Sequence, residues 1–150
     1  MNSAHIQISG DAIVVVLPPD LDSAGSLVDD ILAVIYRRSA HWLVADLSAV
    51  AVVDRVLLDH LLRLLRSAHC LGATPILASV QPGVAAILVD LDADLDWLRT
   101  QRSAISALRW IHDQEQRLER SAAQTDHPDS RDGHDDHGPG RHTAPRVVGS

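Results

Sequence analysis

The chain of 150 residues contains no lysine and no phenylalanine, and only one cysteine, one methionine and one tyrosine. A single cysteine, Cys70, excludes an intramolecular disulfide framework and suits a reducing compartment. With three tryptophans as the main aromatic content, the core has to be aliphatic. All 13 basic residues are arginine, and the 20 acidic ones leave a net charge of -7. That balance disfavours nonspecific nucleic-acid binding, which needs a basic stripe to displace counterions. No apolar run approaches the roughly 18 residues needed to span a bilayer, and the N-terminus lacks a basic-then-apolar signal pattern. A soluble, cytoplasmic protein is therefore expected, without membrane or nucleic acid among its partners. Also missing are a Gly-x-Ser-x-Gly elbow, a Walker loop and a Gly-x-Gly-x-x-Gly turn.

Hydrophobic residues make up 46% of the chain, enough to fill the core of one domain. Ile6 and Ile8 flank Gln7 in a short alternating strand, and Ser9-Gly10-Asp11 reads as a turn. Ala12 to Leu17 is a continuous apolar run, as a strand covered on both faces requires. After Pro18-Pro19, Asp22 or Ser23 can cap a helix whose broad apolar face holds Leu27, Val28, Ile31, Leu32, Val34 and Ile35. Arg37 and Arg38 fall in its last turn, where cations complement the helix dipole. A strand Leu43 to Leu47 follows. From Val56 to Leu71, apolar residues at 57/58, 61/62, 64/65 and 68 form a stripe opposite Asp59, Arg63 and Arg66, and Gly72 is a good stop. After the strand Ile76 to Val80, Pro82 opens a helix carrying Val84, Ile87, Leu88 and Leu91. Trp97-Leu98-Arg99 reads as a last short strand. A final helix is expected from about Ser103 to Arg120, with Ile105, Leu108, Ile111 and Leu118 facing inward.

Strands alternating with helices imply right-handed crossovers and a mostly parallel sheet, with only the first two strands antiparallel. The expected architecture is α/β: a mixed sheet of four to five strands with about four helices, spanning residues 1–120. Residues 121–150 are rich in Asp, His, Gly, Ser, Thr and Pro, and cannot bury enough surface to offset chain entropy, so a disordered tail is expected.

Each group of residues that could carry chemistry has a plainer explanation. His127, His134, His137 and His142 stand among tail aspartates and could gather a divalent ion. A structural zinc site usually wants thiolates and fixed spacing, so no built metal site is expected, with His134 and His137 the candidates for an adventitious ion. Asp90, Asp92, Asp94 and Asp96 alternate, but Leu95 and Gln101 stand where a calcium loop needs Gly and Glu. Cys70, His60 and His69 share one helix. His69 faces another direction, and His60 lies nearly three turns away, so no catalytic pair forms. No enzymatic activity and no cofactor are expected.

The apolar strand Trp42-Leu43-Val44-Ala45-Asp46-Leu47, the hinge Ala51-Val52-Val53-Asp54-Arg55 and the leucine-rich helix run on to Leu71-Gly72-Ala73-Thr74. Next come the strand Pro75-Ile76-Leu77-Ala78-Ser79 and the helix start Gln81-Pro82. In order and wording this series resembles the STAS domain, shared by sulphate-transporter tails and bacterial anti-sigma factor antagonists. The likeness is strongest to the short STAS proteins of the stress-signalling complex called the stressosome, and covers roughly Ile6 to Ile111. Leu91-Asp92-Ala93-Asp94-Leu95 is similar to the family's helix-ending Leu-Gly-x-Asp-Leu, with Asp92 in place of glycine. The resemblance implies a non-enzymatic regulator of sigma-factor activity that works by binding proteins, as an anti-sigma factor antagonist or a stressosome-type companion of one. Its implied partners are a serine kinase that doubles as anti-sigma factor and other STAS proteins, with homo- or hetero-oligomers within reach. The family's phosphorylated Ser or Thr follows the hinge aspartate, and Arg55 occupies that position here. The expected partner surface is Asp54, Arg55, Asp59, Arg63 and Arg66 with the neighbouring loops at Asp22-Ser23 and Ser79-Gln81. Two alternatives stay open: a scaffold that assembles with other STAS domains without a kinase, and a sensor that binds a nucleotide or other small molecule above the strand ends.

Overall fold

The computed structural model describes residues 5–19, 24–90 and 95–125. The elements run β1 (His5–Ser9), β2 (Ala12–Val16), α1 (Ala24–Arg38), β3 (Trp42–Asp46), α2 (Arg55–Cys70), β4 (Thr74–Ala78), α3 (Pro82–Asp90), β5 (Arg99–Gln101) and α4 (Ala104–Thr125). The five strands lie in one sheet in sequence order; β1 pairs with β2 antiparallel and the other pairs are parallel. The mixed, mostly parallel sheet with four helices agrees with the sequence expectation. The proposed caps Asp22 and Ser23, the Asp92 and Asp94 positions and the tail histidines lie outside the described residues.

Strand order dictates where the helices go. Three successive crossovers of one hand, each stepping to the next strand, leave α1, α2 and α3 on the same face of the sheet. The main core accordingly joins Ile13, Val15, Leu43, Ala45 and Leu77 of the strands to Ile31 and Ile35 of α1, Leu61, Leu64 and Leu65 of α2, and Val84 of α3. The opposite face carries Ala12, Val14, Val44, Ile76 and Ala78, and is covered by Ala107 and Ile111 of α4. Both faces of β2, β3 and β4 are therefore buried, which is why these strands read as unbroken apolar runs.

Helix ends follow from capping chemistry. Gly72 adopts φ +92°, donates its N–H to the His69 carbonyl at 3.1 Å, and Ala73 donates to the Ala68 carbonyl at 2.9 Å. This paired closure uses a left-handed residue, for which glycine has no Cβ penalty. Helix α1 closes in the same way, Ser39 to the Tyr36 carbonyl (3.3 Å) and Ala40 to the Ile35 carbonyl (3.1 Å), but with Ser39 at φ +51°.

Three sequence expectations change. The last strand is Arg99–Gln101, not Trp97 to Arg99: Trp97 and Leu98 instead pack against the main core ahead of it. Ile105 is 66% exposed and Leu118 65% exposed, so neither faces inward. Ala104, Ala107, Leu108 and Ile111 do; these positions share the i, i+3, i+4, i+7 spacing of one helical face, and alanines at two of them weaken the apolar signal. The helix also runs five residues past the expected limit at Arg120, through Ser121-Ala122-Ala123-Gln124-Thr125, a stretch with two strong helix formers in alanine. Residues up to Gln114 form one compact unit with the sheet, and Glu115 begins a second one.

Candidate partner-binding site

The parallel register aligns Val16, Asp46, Ala78 and Gln101 at the carboxyl end of the parallel strands. Beyond it the backbone ladder goes one step further: Leu17 N–H to the Asp46 carbonyl (3.0 Å), Leu47 to Ala78 (2.9 Å) and Ser79 to Gln101 (3.2 Å). The loops after β3 and β4 thus leave the sheet side by side, and both lead into helix N-termini.

The loop between β3 and α2 is pinned at several points. The nearly buried Asp46 carboxylate accepts the Ser48 N–H at 2.9 Å, and Val50 closes a turn on the Leu47 carbonyl at 2.9 Å. Gln81 Nε2 donates to the Ser48 carbonyl at 2.9 Å, tying this loop to the start of α3. Gly83 brings α3 so close that a Cβ there would stand 3.2 Å from the Ala51 carbonyl. Val50 and Val53 enter the main core, whereas Val52 between them is 78% exposed.

Asp54 then caps α2. Its backbone is extended and its Oδ1 accepts the Leu57 N–H at 2.8 Å, satisfying one of the free donors of the first turn. Arg55 is consequently the first helical residue. Its side chain is 81% exposed, and its Nε lies 4.0 Å from Asp59 Oδ1, one turn on and also exposed. A solvent-exposed pair at that separation contributes little. Val56, 61% exposed, lies on the other side of Arg55 from Val52 along the chain. An exposed guanidinium with exposed valines nearby in the chain combines the apolar area and the multidentate donor that protein interfaces use.

The remaining expected site residues divide. Arg63 Nη2 is 3.1 Å from Asp29 Oδ1, so it joins α2 to α1. Arg66 is exposed on the same face as Arg55 and Asp59. Ser79 sits at the end of β4 with φ +59°, a left-handed conformation costly for a residue with a Cβ. Such strain is held in place by its surroundings, here by the Ser79 bond to β5 and the Gln81 clasp. Sequence reasoning missed Val52 and Val56, because alternation gives no sign of which valine in Val50-Ala51-Val52-Val53 turns outward. Away from this end of the sheet, His69 stacks on Trp97 with ring centroids 5.5 Å apart, and Cys70 is free and exposed. Among the described residues no three His, Cys, Asp or Glu side chains gather around a point where a metal could sit.

No protein-family model matches the chain. It is similar to the RsbT co-antagonist protein RsbRA of Bacillus subtilis, 24% identical over 84 residues, which are 56% of this chain and 31% of that protein. The match therefore spans about a third of the length of that relative. Among solved structures it is similar to RsbS of Moorella thermoacetica, 27% identical with a TM-score of 0.67, covering 73% of this chain and 97% of that one. A chain from the molecular architecture of the stressosome, described as a signal integration and transduction hub, is 26% identical with a TM-score of 0.67 over 74% and 98% of the two chains. An anti-sigma-factor antagonist (STAS) domain protein from Planctomyces limnophilus, 16% identical with a TM-score of 0.54 over 72% and 96%, shares the fold alone. The chain has the fold of the STAS-domain proteins. In this fold the first turn of α2 and the clasped loops beside it make up the candidate site, and no helix among the described residues is long and apolar enough to cross a membrane.

Proposed function

We propose that this STAS-fold domain regulates sigma-factor activity by binding proteins, as an anti-sigma factor antagonist or as a stressosome-type companion of one. It acts without enzymatic chemistry of its own. Its partners are an anti-sigma factor with serine-kinase activity and other STAS proteins. The observation that carries this reading is the first turn of α2. Asp54 fixes the turn, and Arg55 is exposed at its start, with exposed Val52 and Val56 before and after it in the chain.

Arg55 stands where the resembled family places its phosphorylated Ser or Thr. A phosphate at a helix N-terminus would meet free N–H donors and the positive end of the dipole. A guanidinium there reverses the sign of that signal and accepts no phosphate as a hydroxyl does. The domain is accordingly held in one signalling state at this position. The similarity to RsbRA and to a stressosome chain supports a role within an assembly of STAS domains.

The test is a pull-down from the native host with wild type and Arg55→Glu, followed by calorimetric titration of the recovered partner. Charge reversal inside a desolvated contact costs about 2–5 kcal/mol, and much less at a rim. Affinities within about twofold, near 0.4 kcal/mol, would put Arg55 outside the interface and leave the scaffold reading in its place. Incubation of Arg55→Ser with that kinase and ATP should label the new serine, while wild type stays unlabelled there.

A further inference from the structure

The lateral edge of the sheet at β1 offers a second surface. β1 is the outermost strand, pairs only with β2 among the described residues, and is exposed at four of its five positions. Its free edge presents a row of N–H and C=O groups, and proteins usually guard such an edge with a charge, a proline, a bulge or a covering element. His5-Ile6-Gln7-Ile8-Ser9 has no proline and no acid, lysine or arginine, and its register with β2 is unbroken.

Register decides which face matters. Ile6 lies opposite Val15 and Ile8 opposite Ile13, so both isoleucines belong to the face that α1 covers. The cover is incomplete there, because Ile8 is 41% exposed. Ile6 and Ile8 line a groove of about 520 Å³ with Val34, Arg37 and Arg38 of α1. In a chain of net charge -7, this groove has an apolar floor and two guanidinium groups on its rim.

We propose that the β1 edge receives an extended acidic segment of a partner protein as a sixth strand. Backbone groups of β1 supply the pairing. On the face toward α1, apolar side chains of the incoming strand lie beside Ile6 and Ile8, and its carboxylates reach Arg37 and Arg38. Strand addition of this kind takes affinity from main-chain bonds and specificity from alternate side chains. Arginine suits the role because its planar fork binds a carboxylate bidentately. This surface is separate from the first turn of α2, so the two readings succeed or fail independently.

The experiment uses the full chain and a fluorescein-labelled nonapeptide, Thr-Val-Thr-Val-Thr-Asp-Thr-Asp-Thr, with its reversed sequence to allow either strand direction. Fluorescence anisotropy should show saturable binding of one of the two, and no binding when lysine replaces aspartate. Arg37→Glu with Arg38→Glu should weaken binding by at least roughly tenfold, with the far-UV circular dichroism spectrum retained and the melt lowered only by the few degrees that two acids at the C-terminus of α1 cost. The Gln7 and Ser9 N–H groups face β2, so Ile8 carries a donor on the free side. Ile8→Pro, checked for folding by circular dichroism, should abolish binding by blocking strand pairing. Amide resonances of His5 to Ser9 should shift on titration. Equal binding of the aspartate and lysine peptides, no binding of either aspartate peptide, or shifts confined to other elements would overturn the proposal. So would a concentration-dependent dimer in sedimentation that Ile8→Pro dissolves, since the edge would then be occupied by a second copy of this chain.

Discussion

Replacing Asp54 by alanine removes the one side chain that both terminates the β3–α2 loop and starts the helix carrying Arg55. Its Oδ1 accepts the Leu57 N–H at 2.8 Å, and Leu57 is itself buried. Water cannot fully replace the lost acceptor, so the loss of the cap costs about 1 kcal/mol, within a range of roughly 0.5–2. The aspartate charge adds about 0.3–1 kcal/mol through its position at the positive end of the helix dipole. The sum is about 0.8–3 kcal/mol, or a fall of about 3–12 °C in melting temperature for a domain of this size. Asp54→Asn keeps the acceptor and loses the charge, so it should cost only the second part, and added salt should shrink that part. Urea unfolding followed by far-UV circular dichroism at low and high salt separates the two contributions, with the slope on denaturant expected to stay constant. The reasoning is refuted if Asp54→Ala lies within about 0.3 kcal/mol of wild type, or if Asp54→Asn is as damaging as alanine.

Ser39→Gly should raise stability by a few tenths to about 1 kcal/mol in the same assay, because φ +51° costs a residue with a Cβ and costs glycine nothing. Any clear loss would mean that the Ser39 side chain contributes more than the strain it carries. Ile111→Ala should cost about 2–5 kcal/mol, whereas Ile105→Ser, outward on the same helix, should stay within about 0.5 kcal/mol; thermal denaturation of both variants checks which face of α4 meets the sheet. Removing residues 126–150, which are rich in Asp, His, Gly and Pro, should leave the melting temperature unchanged and abolish retention on a Ni²⁺ resin. A drop of several degrees would show that the segment contributes to the fold.

Much of the fold was legible because burial writes itself into apolar periodicity. The runs at Ala12 to Leu17 and Trp42 to Leu47 announce strands covered on both faces. The stripe from Leu57 to Ala68 announces a helix with one wet side, and Gly72 marks where it stops. Asp54 followed by Arg55 was visible as a candidate site because the order of elements around it matched a known domain. Periodicity is a local property, however, and cannot say which way a loop residue turns or how far a helix reaches past its support. Val52 and Val53 are adjacent and chemically identical, yet one is thrust into solvent and the other enters the core. The difference arises from the turn at Leu47 to Val50 and the Gln81 clasp from a loop 33 residues away. In the same way, Ala107 outranks Ile105 on α4 because the sheet face it meets, Val44 and Ile76 among its residues, is shared by strands far apart in sequence. The sequence by itself determined the elements, their order and the identity of the residue at the head of α2. Only the tertiary structure decided which valines near that residue are exposed, that Arg63 is drawn to Asp29, and that β1 is an edge strand among the described residues. Each of these depends on contacts between distant segments, and such contacts leave no periodic trace in the chain.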